Sequence, residues 1–299
     1  MLPLFVSPTA LGQLANARGE VCQAEACAAH EIPYMVPHIG SCPWAEVQAA
    51  ANGHGLARGS NLLQVYLPRN QDELDGVLAQ ARALQFCAIA VTVDAAVMGK
   101  RDKDLAARRA LRLASSPAAP IGSAALSTAP RSSNPGKWDS SFSWADLHAL
   151  QKRAGVPVVL KGVQRGDDAV RAALAGVPAI VVSNHGGRNL DRARASLDCL
   201  VEIDSALRAA GVRDSIVVMF DGGVTRGVDV AMALALGADY VGLGRLVLWG
   251  VAAQGAAGAS RIIEMIADEL ADAMRLLGCA DIAELNRQGD WLQRRHARM

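Results

Sequence analysis

The sequence is poor in aromatic residues, nearly neutral, and free of long apolar runs. Of its 299 residues 4% are Phe, Trp or Tyr, and the formal net charge at pH 7 is +1. So small a charge offers little electrostatic attraction to nucleic acid or to an acidic membrane. No apolar run reaches the roughly 18 residues of a membrane-spanning helix, and residues 1–8 lack the basic segment of a signal peptide. We therefore expect a soluble intracellular protein without a nucleic-acid partner or a membrane span.

The sequence also lacks the cysteine spacings that are typical of redox-active or zinc-binding sites. The six cysteines form no C-x-x-C pair and have no zinc-like spacing with histidine. We predict no metal site, and we expect reduced, mostly buried cysteines in a reducing compartment.

Eight short apolar runs recur along the chain, each followed by a turn signal and a segment with helical character. Their hydrophobicity is continuous, as in parallel strands that are covered on both faces. The runs are residues 2–8, 32–37, 62–68, 88–94, 157–163, 179–186, 215–223 and 240–248. Between two of them, Asn70 followed by Glu73 predicts a helix start. The last helix is predicted to end at Gly278.

Eight strand–helix units in a chain of this length favour a single (β/α)8 TIM barrel over residues 1–299. An open doubly wound sheet is the alternative, but the G-x-G-x-x-G turn usual after its first strand is absent. Residues 114–141 are rich in Ser, Pro and Ala and show no periodicity. Because they follow the fourth strand, we expect a mobile loop over the barrel mouth.

A barrel predicts that functional side chains lie where its strands end. Polar residues do stand at those ends: Thr9, Gln64, Tyr66, Thr92, Asp94, Lys161, His185, Arg188, Asp221 and Arg245. The glycine-rich segments 220–224 and 242–245 follow the seventh and eighth strands, where barrels commonly bind phosphate.

The segment VVSNHGGRNLD (181–191) has the form of a catalytic site. His185 alone fits either a structural histidine or a proton acceptor, and Asp94 from another strand is available to orient its ring. Arg188 offers a planar fork for a substrate carboxylate. Lys161 ends a very apolar strand and needs an anion nearby, either a ligand or a salt-bridge partner such as Asp94 or Asp221.

In these motifs the chain resembles the FMN-dependent 2-hydroxy acid oxidases and dehydrogenases, the family of glycolate oxidase, lactate oxidase, mandelate dehydrogenase and flavocytochrome b2. SNHGGR (183–188) matches the family's active-site motif. The other matching segments, in order and spacing, are 64–66, 92–105, 158–163 and 220–245. The resemblance covers almost the whole chain. It implies FMN as cofactor and a small 2-hydroxy acid as substrate. It also implies oxygen, a quinone or a protein as electron acceptor, and a homotetramer.

The resemblance also implies roles for individual residues. His185 would be the active-site base with Asp94 as its partner, Arg188 would clamp the substrate carboxylate, and Tyr66 and Arg101 would lie beside the substrate. The remaining residues would contact FMN: Lys161 at the N1–O2 edge, Thr9 and Ala10 through the backbone, Gln64 and Thr92 at the polar edge, Ser183 beneath the site, Asp221 at the ribityl chain, and Gly223, Arg226, Gly244 and Arg245 at the phosphate.

Two of the chain's departures from this family concern the substrate and the flavin. Family members carry a further N-terminal stretch that supplies a substrate-binding tyrosine, whereas Met1 here lies directly before the first strand, so we expect that tyrosine to be missing. PHIGSCP (37–43) replaces a serine-rich stretch, which removes a flavin donor at Pro37 and changes the pocket wall at His38 and Ile39. We therefore expect an altered or larger substrate.

Two functions stay open at this point. One is oxidation of a 2-hydroxy acid to a 2-oxo acid, which the intact His185, Arg188 and Lys161 favour. The other is a truncated or repurposed barrel that binds FMN or a phosphorylated ligand without turnover, which the missing N-terminal stretch favours. For location, Ala297-Arg298-Met299 fits the small–basic–apolar pattern of a peroxisomal signal, with the cytoplasm as the default expectation.

Overall fold

The structure, a computed structural model, describes residues 2–52, 60–97, 99 and 138–287. Eight strands alternate with helices along this part of the chain. The strands are β1 (Leu4–Val6), β2 (Met35–Val36), β3 (Leu62–Val65), β4 (Ala88–Thr92), β5 (Val158–Val163), β6 (Ala179–Val182), β7 (Val217–Asp221) and β8 (Tyr240–Leu243).

The helices in the described ranges are α1 (Glu20–Ala29), α2 (Trp44–Asn52), α3 (Gln71–Ala83), α4 (Trp144–Ala154), α5 (Gly166–Leu174), α6 (Ser196–Ala209), α7 (Gly227–Ala235), α8 (Arg245–Leu277) and α9 (Ile282–Arg287). The Asn70 side chain accepts hydrogen bonds from the N–H groups of Asp72 and Glu73 and so caps α3. Helix α8 ends at Gly278, which has a left-handed backbone. Both predicted helix boundaries are confirmed.

All strand pairs are parallel, and the strand order is β1-β8-β7-β6-β5-β4-β3-β2. The two outer strands meet through a single parallel bridge between Val6 and Tyr34, where the Val6 N–H donates to the Pro33 carbonyl at 3.0 Å. The sheet is therefore a nearly closed barrel, and the predicted (β/α)8 fold is confirmed.

Side chains alternate between the barrel interior and the surrounding helices, because successive residues of a strand face opposite sides. The lower interior is filled by a separate apolar cluster: Phe5, Met35, Leu62, Ala88, Ala90, Val159, Ala179, Val181 and Met219. Two residues further along their strands, the interior becomes polar and stays buried: Ser7, Gln64, Thr92, Lys161, Ser183 and Asp221. The polar layer lies at the carboxyl ends of the strands, so the fold delivers these side chains to one site.

The prediction of one strand over 240–248 is wrong at its second half. Strand β8 ends at Leu243, and Arg245 already begins the 33-residue helix α8, which is bent at Gln254 and Gly255. A continuous apolar run does not distinguish a buried strand from a buried helix by periodicity. The glycine between them, Gly244, is where the chain changes direction.

Three other expectations concern composition and loops. All six cysteines are free, and only Cys87 among them is exposed. The predicted loop over 114–141 falls outside the described residues except for 138–141.

Within the described ranges, α8 alone is long and apolar enough to cross a membrane. Its Ile263, Ile266 and Leu270 are buried in the main core, as expected of a barrel helix.

Candidate active site

Lys161 and Asp221 form a buried ion pair at the centre of the polar layer. Lys161 Nζ lies 3.1 Å from Asp221 Oδ2, and the two side chains are 4% and 6% exposed. Burial acts to raise the pKa of Asp221, but the Lys161 ammonium and hydrogen bonds from Ser183 and Ser7 outweigh it, so this pKa is lowered. The sequence analysis left Asp94 and Asp221 as possible salt-bridge partners of Lys161, and in the structure the partner is Asp221.

Ser183 connects this ion pair to the histidine turn. Its hydroxyl donates to Asp221 Oδ1 at 2.5 Å and accepts from Lys161 Nζ at 3.0 Å. It also accepts from the backbone N–H of His185 at 3.1 Å. One donor and two lone pairs are then all used. The position of the buried charge and the position of His185 are thus set by the same hydroxyl.

The side chain of His185 is held between a carboxylate and a phenol. Its Nδ1 lies 3.1 Å from Asp94 Oδ1, and its Nε2 lies 3.4 Å from the hydroxyl of Tyr66. Asp94 is 5% exposed and His185 is 19% exposed. A carboxylate acceptor at Nδ1 favours the tautomer that carries its proton there, so Nε2 becomes the acceptor. This pairing fixes the orientation of the imidazole and directs Nε2 toward the Tyr66 hydroxyl, an arrangement that suits a general base.

The turn that carries His185 has a strained backbone. His185 adopts φ +57°, a left-handed conformation that is uncommon for a residue with a side chain. Asn184 supports the turn, because its side chain accepts from the Gly187 N–H and its own N–H donates to Ser196 Oγ at 2.9 Å. Asn189 Nδ2 donates to the Asp94 carbonyl at 3.0 Å. Strain of this kind persists where the surroundings define the conformation, as they do here.

A second polar group lines the site from β3 and β4. Gln64 Nε2 donates to Thr92 Oγ1 at 2.8 Å, and Gln64 Oε1 accepts from the His38 N–H at 3.1 Å. Gln64 and Thr92 are both buried. These hydrogen bonds fix the polar groups of both side chains, which suits recognition of a flat polar edge.

The carboxyl ends of β7 and β8 leave room for an anion. A Cβ added at Gly223 would meet nothing within 4 Å, and one at Gly244 would meet only Thr9 Cγ2 at 4.0 Å. Helix α8 starts here without a side-chain cap, so its first N–H groups are available to a ligand. Arg245 lies beside them and donates to the Gly186 carbonyl at 3.3 Å. Open space, backbone donors and a guanidinium fit a phosphate.

Of four further predicted site residues, three lie near the ends of strands or helices and one lies outside the described residues. Arg226 precedes α7, is 68% exposed, and pairs with Glu269 at 2.9 Å, and its phosphate contact stays a prediction. Thr9 Oγ1 donates to Gln23 Oε1 at 2.8 Å, and Ala10 is partly exposed after β1. Arg101 lies outside the described residues. Arg188, by contrast, follows directly on the histidine turn and is exposed toward solvent.

The sequence analysis missed three contributors to the site. Ser7 donates to Asp221 Oδ2 at 3.0 Å, and period-two spacing from Phe5 would have placed it in the interior. Gly162 lies so close to Asp94 that an added Cβ would sit 2.5 Å from the carboxyl carbon. Trp138 packs against Tyr66 with ring centroids 5.4 Å apart, and no signal in the sequence pairs these two residues.

This geometry defines a barrel whose mouth has the groups to hold a phosphate-bearing ligand beside the buried Lys161 and the Asp94–His185 pair. The described residues suit FMN because the phosphate pocket, the Lys161 charge and the Gln64–Thr92 pair lie around one barrel mouth. The comparisons with known proteins identify the family.

The family model of FMN-dependent dehydrogenases matches residues 1–292. An L-lactate oxidase of Nostoc sp. is 37% identical over 297 residues, which cover 95% of this chain and 78% of that protein. A peroxisomal (S)-2-hydroxyacid oxidase of Arabidopsis thaliana is 35% identical over 293 residues, covering 95% of this chain and 76% of that protein. A solved flavocytochrome b2 variant with pyruvate bound has a TM-score of 0.82 and 35% identity, covering 95% of this chain and 67% of that chain.

The chain belongs to the FMN-dependent dehydrogenase family, within the group of 2-hydroxy acid oxidases and dehydrogenases. It is an oxidoreductase with FMN as its cofactor. The resemblance found in the sequence is confirmed, and a barrel without turnover is not favoured.

Proposed function

We propose that the protein oxidises a small 2-hydroxy acid to the 2-oxo acid, with His185 as the base and Arg188 as the carboxylate anchor. The observation that carries the proposal is the placement of His185 Nε2 as an acceptor 3.4 Å from the Tyr66 hydroxyl, with Asp94 on the opposite nitrogen. A histidine held in this way accepts a proton without changing its orientation.

The chain's own groups divide the work between binding and proton transfer. Arg188 and the Tyr66 hydroxyl bind the substrate carboxylate and place the hydroxyl-bearing carbon near His185. His185 Nε2 takes a proton from the substrate, and Asp94 stabilises the imidazolium that forms. FMN, when bound, would take up the two electrons and the second proton that the substrate loses. Lys161 supplies a positive charge that favours this electron uptake, and Asp221, Ser183 and Ser7 hold that charge in place.

Anaerobic reduction of the bound flavin tests the proposal. Mixing the holoenzyme with L-lactate or glycolate should bleach the flavin absorbance, and His185→Ala should slow bleaching by about 10²–10⁴-fold while FMN stays bound. The exposed His148 on α4 provides a matched control, because His148→Ala removes an imidazole from the protein surface. Equal bleaching rates in the wild type and His185→Ala would refute the assignment of the base.

The electron acceptor is a further part of the proposal. We propose oxygen, a quinone or a protein, because one relative is named as an oxidase and a structural neighbour is a flavocytochrome. Stopped-flow mixing of the reduced enzyme with oxygen separates these acceptors. Rapid reoxidation supports an oxidase, and slow reoxidation supports a quinone or protein acceptor.

Location and assembly complete the proposal. We propose a peroxisomal or cytoplasmic enzyme, since a relative is named as peroxisomal and the last three residues, which lie outside the described part, fit a targeting tripeptide. An N-terminal fluorescent fusion with and without Met299 tests the address, and diffuse signal from both would dismiss it.

We further propose a homotetramer, and the exposed Trp249 on α8 (63%) offers apolar surface for it. Light scattering measures its mass.

A further inference from the structure

We propose that His38 is a positioning residue that orients Tyr66 for binding of the substrate carboxylate. The inference rests on the proposed function, in which the Tyr66 hydroxyl contacts that carboxylate. His38 follows β2, and nothing in the roles implied by the family resemblance involves its side chain.

The contact between the two residues runs from backbone to ring. The Tyr66 N–H donates to His38 Nδ1 at 3.1 Å, just beyond the end of β3. The His38 N–H in turn donates to Gln64 Oε1 at 3.1 Å. His38 therefore links the loop after β2 to the end of β3, through Gln64 before Val65 and Tyr66 after it. The backbone from which the Tyr66 side chain projects is held by an imidazole rather than by a neighbouring strand.

The rings add a second restraint on the same tyrosine. The rings of His38 and Tyr66 are nearly parallel, at 20°, with centroids 6.4 Å apart, and those of Tyr66 and His185 are at 26° and 6.4 Å. Tyr66 thus lies between two imidazoles. Trp138 closes the other side, with centroid distances of 5.3 Å to His38 and 5.4 Å to Tyr66. Rotation of the Tyr66 ring would disturb all three contacts.

The hydrogen bond also defines the chemical form of His38. A nitrogen that accepts from an N–H group carries no proton, so Nδ1 is the bare nitrogen of a neutral ring. Asparagine places its side-chain oxygen close to the position of Nδ1 in histidine. His38→Asn therefore retains the acceptor and loses the ring, whereas His38→Ala loses both.

A double-mutant cycle on the holoenzyme tests whether His38 acts through Tyr66. The variants are His38→Ala, Tyr66→Phe and the combination of both. The probe is pyruvate, titrated against the oxidised enzyme and followed by the change in flavin absorbance. We expect His38→Ala to weaken pyruvate binding by about tenfold in the wild type and by under about twofold in Tyr66→Phe, because residues that act through one contact are not additive.

The conservative variant separates positioning from a general effect on folding. His38→Asn should bind pyruvate within about threefold of the wild type, the loss expected when the hydrogen bond is kept and the ring contacts are lost. In steady-state assays, His38→Ala should raise KM for the substrate more than it lowers kcat. Because Gln64 also contacts His38, the FMN affinity of each variant is measured as well. We expect this affinity to stay unchanged.

The outcomes distinguish this inference from the proposed function. An additive cycle, or His38→Asn as weak as His38→Ala, overturns the positioning role while reduction by L-lactate leaves the proposed function standing. A non-additive cycle in an enzyme that no 2-hydroxy acid reduces supports the positioning role and overturns the proposed function. A wild type that neither binds pyruvate nor is reduced overturns both.

Discussion

At the scale of single residues, Lys161 shows how burial decides the partner of a charge. A lysine that is 4% exposed would be very unfavourable without an anion, and Asp221 at 3.1 Å provides one. Ser183 and Ser7 complete the hydrogen bonds of the carboxylate. A charge interaction inside the barrel is screened less than one at a solvent-exposed lysine.

The lowered pKa of Asp221 predicts a pH dependence of stability. A carboxyl whose pKa is lower in the folded than in the unfolded state stabilises the fold at pH above its ordinary value of 3.8, and this contribution is lost as pH falls through the folded pKa. Asp221→Asn should therefore flatten the fall in stability below about pH 4, and it should cost about 3–5 kcal/mol at neutral pH because Lys161 loses its partner. Urea unfolding over a pH series measures both.

The exposed Asp214 serves as the control for this substitution. Asp214→Asn should retain the acid-dependent loss of stability seen in the wild type. If Asp221→Asn showed the wild-type pH profile, the ion pair would not contribute to stability in the way proposed.

Arg245 carries the prediction for the phosphate. Arg245→Ala should weaken FMN binding by about tenfold to a hundredfold, as expected for a lost charge-assisted hydrogen bond. Quenching of FMN fluorescence on addition to the apoprotein measures the affinity. Arg261→Ala is the matched control, since Arg261 lies on the same helix and pairs with Glu264. Equal affinity in both variants would argue against a phosphate contact by Arg245.

At the scale of elements, β5 contains an irregularity that serves the site. The register between β5 and β6 shifts between Lys161 and Val163, and Gly162 in between has φ +103°. An added Cβ at Gly162 would sit 2.5 Å from the Asp94 carboxyl carbon. Only glycine combines this backbone conformation with that close approach. The bulge thus gives Asp94 the room to reach His185.

Substituting this glycine should impair catalysis more than folding. Gly162→Ala should displace Asp94 from His185 Nδ1 and slow flavin reduction by about 10²-fold, the loss expected for a misplacement of about 1 Å. Gly176→Ala is the control, because Gly176 also has positive φ, at +71°, but open space around it. It should lose about 1–2 kcal/mol of stability with an unchanged reduction rate. Stopped-flow reduction and thermal unfolding of both variants make the comparison.

At the scale of the whole molecule, the barrel divides its interior into an apolar lower layer and a polar upper layer. Residues from strands β1 to β8 meet in the upper layer or directly above it, although many are far apart along the chain, as Ser7 and Asp221 are at 214 positions. A ligand that spans this mouth ties together strands that are distant along the chain. FMN binding should therefore stabilise the whole fold rather than one loop.

Thermal unfolding measures this coupling. FMN at about 100 times its dissociation constant should add about 2.7 kcal/mol and raise Tm by roughly 5 °C. Riboflavin, which lacks the phosphate, should raise Tm less at the same concentration, because Gly223, Gly244 and Arg245 then have no anion to bind. An equal rise with both ligands would place the binding energy outside the phosphate pocket.

Much of this protein is determined by its sequence. Eight apolar runs with helical segments between them specify a parallel barrel, because strands covered on both faces must be apolar throughout. The polar residue at the end of each run marks the mouth of the barrel, since parallel strands present their carboxyl ends on one side. The pattern SNHGGR, with the glycines of 220–224 and 242–245, was sufficient to indicate the family and its cofactor.

Only the tertiary structure decided which of these groups meet. Lys161 had two candidate carboxylates, and the choice of Asp221 depends on β5 and β7 lying on either side of β6, with both side chains in the polar layer of the interior. The end of β8 at Leu243 and the approach of Gly162 to Asp94 depend on backbone geometry that an apolar run does not encode. His38 reaches Tyr66 because two loops fold over one strand end. Residue patterns specify which face of an element is buried, whereas contacts between distant side chains follow from how the elements pack.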